Sequence, residues 1–108
     1  MKTTNTACKP GELTIEFLRR TAQVLRMLAH PHRLKIVEIL EGCDEGVPVH
    51  EITARLGLPQ ASTSQHLNQM RRVGLVDCDR RGREVRYRIA DDRSLSILDC
   101  IRKRRTPA

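Results

Sequence analysis

The chain has 108 residues, 20 Lys+Arg against 13 Asp+Glu and a formal net charge of +7; that length holds one domain, because two independent cores need roughly 100 residues each. At 39% hydrophobic and 31% charged, the composition is that of a folding chain and not of a disordered tail. One Phe, one Tyr and no Trp leave no aromatic platform, which disfavours modules that bind RNA or single strands by stacking their bases.

No apolar run approaches the ~20 residues of a membrane span, and no apolar segment follows the polar stretch Met1 to Thr6. A cytoplasmic protein with reduced thiols and no membrane partner is therefore expected. The cysteines stand at Cys8, Cys43, Cys78 and Cys100 with no Cys-x-x-Cys pair, which excludes a zinc finger or a thioredoxin-type motif. Residues 71–105 hold twelve Lys/Arg against six Asp/Glu, and the rest of the chain is nearly neutral. A basic half points to a polyanionic partner, nucleic acid first, with a solvated basic surface as the plainer alternative.

In chain order, residues 1–12, with Pro10-Gly11, read as a flexible N-terminal arm, and residues 13–105 as one domain. A helix is predicted from about Leu13 to Ala29. Its apolar residues, among them Ile15, Phe17, Leu18, Val24, Leu25 and Leu28, fill about half the helix circumference, wider than the stripe of roughly 100° that one core needs. The surplus implies a second buried contact, most simply a twin subunit. The next helix opens at His30-Pro31, with proline where a missing N–H is harmless, and stops near Gly42. A loop from Cys43 to Pro48 follows, in which Val47-Pro48-Val49 can add a short edge strand. A short helix, His50 to Leu56, breaks at Gly57-Leu58-Pro59. A second, Gln60 to Val73, closes at Gly74, the left-handed residue expected just past a helix end. Two short helices joined by a tight glycine-containing turn form a helix-turn-helix. Thr63, Leu67 and Met70 share the inward face of the second helix. Ala61, Ser62, Gln65, Gln69 and Arg72 lie opposite, on a face almost free of acid that suits a groove better than a core.

After Gly74 the period changes to two. Leu75 to Asp79 and Glu84 to Ile89 flank Arg80-Arg81-Gly82-Arg83. With Arg81-Gly82 at the tip, Cys78 lies opposite Val85, Val76 opposite Tyr87, and Asp77 opposite Arg86. Asp91-Asp92 then caps a last helix running to about Arg104, with Leu95, Ile97, Leu98 and Ile101 apolar. The expected fold is mainly α with a β-hairpin wing, a homodimeric winged helix-turn-helix.

In this order the chain resembles the ArsR/SmtB family of bacterial repressors. The matching stretches are Leu28 to Ile36, Leu56-Gly57-Leu58-Pro59-Gln60-Ala61-Ser62-Thr63-Ser64-Gln65-His66-Leu67, Arg72 to Val76 and Arg81 to Tyr87. The resemblance covers roughly residues 15–102 and rests on the ordered set. It implies a homodimer built from the first and last helices, and a repressor released from operator DNA by an inducer. The family's standard sensor sites are absent. Pro48-Val49-His50-Glu51-Ile52 stands where a thiolate metal site has Cys-Val-Cys-Asp-Leu. Asp91, Arg93, Arg104 and Pro107 stand where the last-helix zinc ligands would be, and three of them cannot bind metal. Glu38 replaces one cysteine of the persulfide-sensing relatives, whose second lies beyond Cys100. No cofactor is assigned; a metal or metalloid would need a non-standard site.

The candidate DNA contacts follow. Gln60, Ser62 and Gln65 are expected to read base edges, with Gln suited to adenine and Ala61 to a thymine methyl. Ser64, His66, Arg72, Arg81 and Arg83 are expected at phosphates, His66 being equally open to simple packing. Cys100, at the border of an apolar stripe and near Arg104, is the leading sensing thiol. Cys43 is slowed by Asp44 and Glu45; Cys8, on the arm, could join His50 in a two-ligand site; Cys78 is expected to be inert in the hairpin core. His30 and His32 read as a cap and a surface residue. No glycine-rich phosphate loop, nucleophile elbow or triad is present, and Ser62-Thr63-Ser64 with His66 cannot form one from a single helix, so no enzyme is expected. The rival readings are a sequence-neutral DNA-coating protein and a metal or metalloid sensor.

Overall fold

The computed structural model describes residues 11–104. The first helix, α1 (Ile15–Leu28), is opened by Thr14, whose side chain accepts the Phe17 N–H at 3.1 Å. In α2 (Pro31–Leu40), Pro31 occupies the first turn and the His30 imidazole caps it by accepting the His32 N–H. Then come β1 (Val47–Pro48), α3 (Val49–Leu56), α4 (Gln60–Arg72), β2 (Val76–Arg81), β3 (Glu84–Ile89) and α5 (Arg93–Arg104). The three strands form one antiparallel sheet in the order β1-β3-β2, so Val47-Pro48 is the expected edge strand, paired with Tyr87 and Arg86.

The core is built on α2, whose Ile36, Val37, Ile39 and Leu40 are all buried. They meet Ile52 of α3, Leu67 and Met70 of α4, and Leu75 and Val76 at the root of the hairpin. The end of α4 explains how that root is placed. Gly74 adopts φ 81° just past the helix; its N–H bonds to the Arg71 carbonyl and the Leu75 N–H to the Met70 carbonyl. This paired closure turns the chain straight into β2 and drives Leu75 into the core. Asp91 starts α5 by accepting the Arg93 N–H at 2.9 Å.

The hairpin register differs from the expected one. Cys78 pairs with Tyr87, Val76 with Ile89, Asp77 with Arg88 and Asp79 with Arg86. The two-residue turn is Gly82-Arg83, with Gly82 at φ 64°, a conformation that glycine reaches without a Cβ penalty. The partners slide by two residues, so every side chain keeps its expected face.

In helix α1 only Val24 and Leu28 are fully buried, with Met27 packed against the core beside them. Leu13, Ile15, Phe17, Leu18 and Leu25, with Ile101 of α5, remain 41–59% exposed. No helix among the described residues is long and apolar enough to cross a membrane.

Candidate nucleic-acid interface

Thr63, Leu67 and Met70 are buried and fix the rotation of α4. Ala61, Gln65, Asn68 and Arg72 are therefore exposed along its outer face. Gln60, Ser64 and Asn68, each one turn apart, border a groove of about 360 Å³ that separates α4 from the wing, where Arg83 stands on the far wall. Ser62, expected at a base edge, lies half-buried on the opposite flank of α4, away from that groove. Asn68 was missing from the residues expected on the outer face, and Gln69 was expected there instead. The structure turns Gln69 inward, where its Oε1 accepts from Arg33 Nη2.

For His66, the structure shows the second of its two expected settings, packing. Its Nδ1 accepts from Arg33 Nε at 3.1 Å, and its ring meets the His30 ring edge-on with centroids 4.6 Å apart. Burial, followed by the neighbouring His30, Arg33 and His32, holds this imidazole below its ordinary pKa. Arg33 also donates to the Met27 carbonyl. One guanidinium thus ties α1, α2 and α4 together, and His66 serves that clamp from the inner flank of α4 instead of facing a phosphate.

The wing carries fewer free cations than its sequence suggests. Arg81, expected at a phosphate, donates to Glu45 at 2.9 Å and lies 3.6 Å from Asp79. Arg88 pairs with Asp79 and Arg86 with Glu84 across or along the outer face of the hairpin. Arg93 forks Asp91, and Arg102 pairs with Glu41. Much of the basic charge of residues 71–105 is compensated internally. Arg72, Arg80 and Arg83 are exposed and make no ion pair among the described residues. They fall on the outer face of α4 and at the wing tip.

The thiols occupy three different settings. Cys43 is half-buried and donates to the Ile39 and Glu41 carbonyls, both at 3.6 Å. Cys78 faces Tyr87, not Val85, and its Sγ accepts from Arg71 Nη1 at 2.8 Å; it is half-buried at the joint of α4 and the wing. Cys100 is exposed and borders a groove of about 710 Å³ between α2 and α5, beside Leu34, Leu98 and Ile101. Cys8 and Pro107 lie outside the described residues. His50 faces Glu84 at 3.4 Å, and Asp91 is held below its ordinary pKa by its hydrogen bonds from Arg93. The position matching a last-helix metal ligand is therefore already engaged.

A helix-turn-helix domain family matches residues 28–79. The chain is 42% identical over 83 residues to the HTH-type transcriptional repressor SmtB of Mycobacterium tuberculosis, covering 77% of this chain and 60% of that protein's length. It is 35% identical over 79 residues to the HTH-type transcriptional regulator YgaV of Escherichia coli K12, covering 73% of this chain and 79% of YgaV. Its fold is similar to the crystal structure of the transcriptional repressor PagR of Bacillus anthracis, with a TM-score of 0.72, 34% identity, and coverage of 82% of this chain and 99% of PagR. With the clamped helix-turn-helix and three-stranded wing described above, these likenesses place the chain in the ArsR/SmtB family of helix-turn-helix transcriptional regulators.

Proposed function

We propose that the chain is a homodimeric, non-enzymatic repressor that binds double-stranded operator DNA in the cytoplasm. Helix α4 enters the major groove with Gln60, Gln65 and Asn68 toward base edges and Ala61 toward thymine methyls. Ser62, Ser64, Arg72 and Arg83 serve the phosphates on either side. The observation that carries this reading is the outer face of α4: polar, free of acid, held outward by three buried residues and flanked by unpaired arginines. The α1 stripe and Ile101 supply the dimer contact. Cys100 is the thiol best placed for induction, since an adduct in the α2–α5 groove would shift α5 and so the spacing of the two reading heads.

The deciding experiment compares affinity for the promoter DNA beside the protein's own gene with affinity for random duplex of equal length. A ratio of about 10³ or more is expected of a repressor. Equal affinities would establish the sequence-neutral coating protein instead.

A further inference from the structure

Three imidazoles that the chain supplies from two elements meet at one point. His30 caps α2, His32 sits in its first turn, and His66 reaches them from the inner flank of α4. One ligand nitrogen from each lies within 4.8 Å of the others, and all three residues are half-buried. We propose that this cluster is a divalent transition-metal site of the zinc type, and that metal and the Arg33 clamp exclude one another there.

The ligand chemistry supports a nitrogen-preferring metal. Three neutral imidazoles with an open fourth position are a recurrent zinc set, with Zn–N bonds of about 2.0–2.1 Å. Tetrahedral bonds of that length put ligand nitrogens about 3.3 Å apart, so the rings must close in by side-chain rotation. His32 is free to do so, as its ring makes no hydrogen bond among the described residues.

The exclusion follows from proton accounting on His66. A metal-bound neutral imidazole carries its proton on the other ring nitrogen. At present Nδ1 accepts from Arg33 Nε, so the proton sits on Nε2. If metal takes Nδ1, it replaces Arg33 directly. If metal takes Nε2, the proton moves to Nδ1 and two N–H groups face each other. Either route expels the guanidinium from His66 and, with it, the bond to Gln69. Metal would then loosen the seat of α4 from behind, through residues other than those matching the family's standard ligands.

The test is titration of the full-length protein with Zn(II), read by calorimetry, on wild type, His32→Ala and Arg33→Gln. One site per chain is expected in wild type. His32→Ala should bind Zn(II) at least about tenfold more weakly, and Arg33→Gln should bind it more tightly, because the competing cation is gone. Surface or thiol binding predicts neither response, so Zn(II) affinity unchanged in His32→Ala overturns the proposal, as does an absence of binding by wild type. A weakened Arg33→Gln that is shown to be folded by circular dichroism would overturn the exclusion. In case Arg33→Gln fails to fold, imidazole nitrogen NMR of wild type reads the same point: Zn(II) should switch the protonated nitrogen of His66 or metallate Nδ1. Retention of the Arg33-bonded Nδ1 acceptor at saturating Zn(II) sinks the exclusion.

Discussion

Gln65 and Gln69 are chemically identical and four residues apart, yet they have opposite fates. Gln65 is exposed at the centre of the outer face, whereas Gln69 is captured by Arg33. Helical periodicity alone separates inward from outward residues, but it cannot say which flank of a helix meets a neighbour, since that depends on a residue 36 positions away. The same blindness left His66 undecided between a phosphate and packing, while Ala61, Gln65 and Arg72, opposite the buried Thr63–Leu67–Met70 face, were legible from spacing. Gln65→Ala should therefore weaken operator binding by roughly 1–3 kcal/mol and leave random-duplex binding nearly unchanged. Competition titrations with both DNAs measure this; an unaltered operator affinity would mean that α4 docks in a different rotation. Among the wing arginines, Arg83 makes no ion pair among the described residues and Arg81 is held by Glu45. If each Arg83 of a dimer neutralises one phosphate, Arg83→Ala should flatten the log–log salt dependence of DNA binding by about 2. Arg81→Ala should change the slope less. Equal effects would show that Glu45 lets go of Arg81 on the DNA.

Element boundaries were the most readable layer. The proline at the start of α2, the glycine after α4 and the acidic pair before α5 each act through backbone groups that a helix end leaves unsatisfied, and such signals are local. The strand register was not readable to the residue. Both registers set Val76 and Cys78 against apolar or aromatic partners and Asp77 against an arginine, because a slide of two preserves every face; they part nearer the turn, where the expected one opposes Asp79 to Glu84 and the observed one opposes Asp79 to Arg86 and Arg81 to Glu84. The turn decided it, through the position of Gly82. The start of α5 gives a test at this scale. Asp91 accepts the Arg93 N–H and is forked by the Arg93 side chain, which holds its carboxylate below the ordinary range. Its folded pKa is thus below its unfolded value of about 3.9, so its stabilisation is complete above that value and is lost as pH falls through the folded one. Asp91→Ala should cost about 1 kcal/mol at neutral pH. Asp91→Asn should keep the cap acceptor but lose the charge, so the gap in urea midpoint between wild type and this variant should narrow on acidification below about pH 4. A gap that is constant with pH would assign the contribution to the cap alone.

At the scale of the molecule, what the sequence made legible was a surplus. The apolar arc of α1 was too wide for one core, and the single chain buries just two of its residues fully, Val24 and Leu28. Phe17, Leu18 and Leu25 stay exposed on α1, and Ile101 on α5, exposed apolar side chains of the kind that a partner covers. These side chains do not hold the single subunit together. Replacing Leu18 and Leu25 with Glu should therefore leave the fold intact, as read by circular dichroism, while burying charge in any dimer and so preventing it. Wild type should sediment as a dimer at micromolar concentration and the double variant as a monomer. The consequence for DNA is set by geometry. Two recognition helices joined by a rigid interface can occupy half-sites about 34–36 Å apart, one turn of the duplex. Once one head is bound, the second binds at high effective concentration, which raises affinity by about 10²–10⁴ without any new contact to DNA. The monomeric variant should lose that factor on the full operator yet bind an isolated half-site as well as one wild-type subunit does. Full-operator affinity that survives in a proven monomer would show that each winged head acts alone and that the α1 stripe serves some other contact.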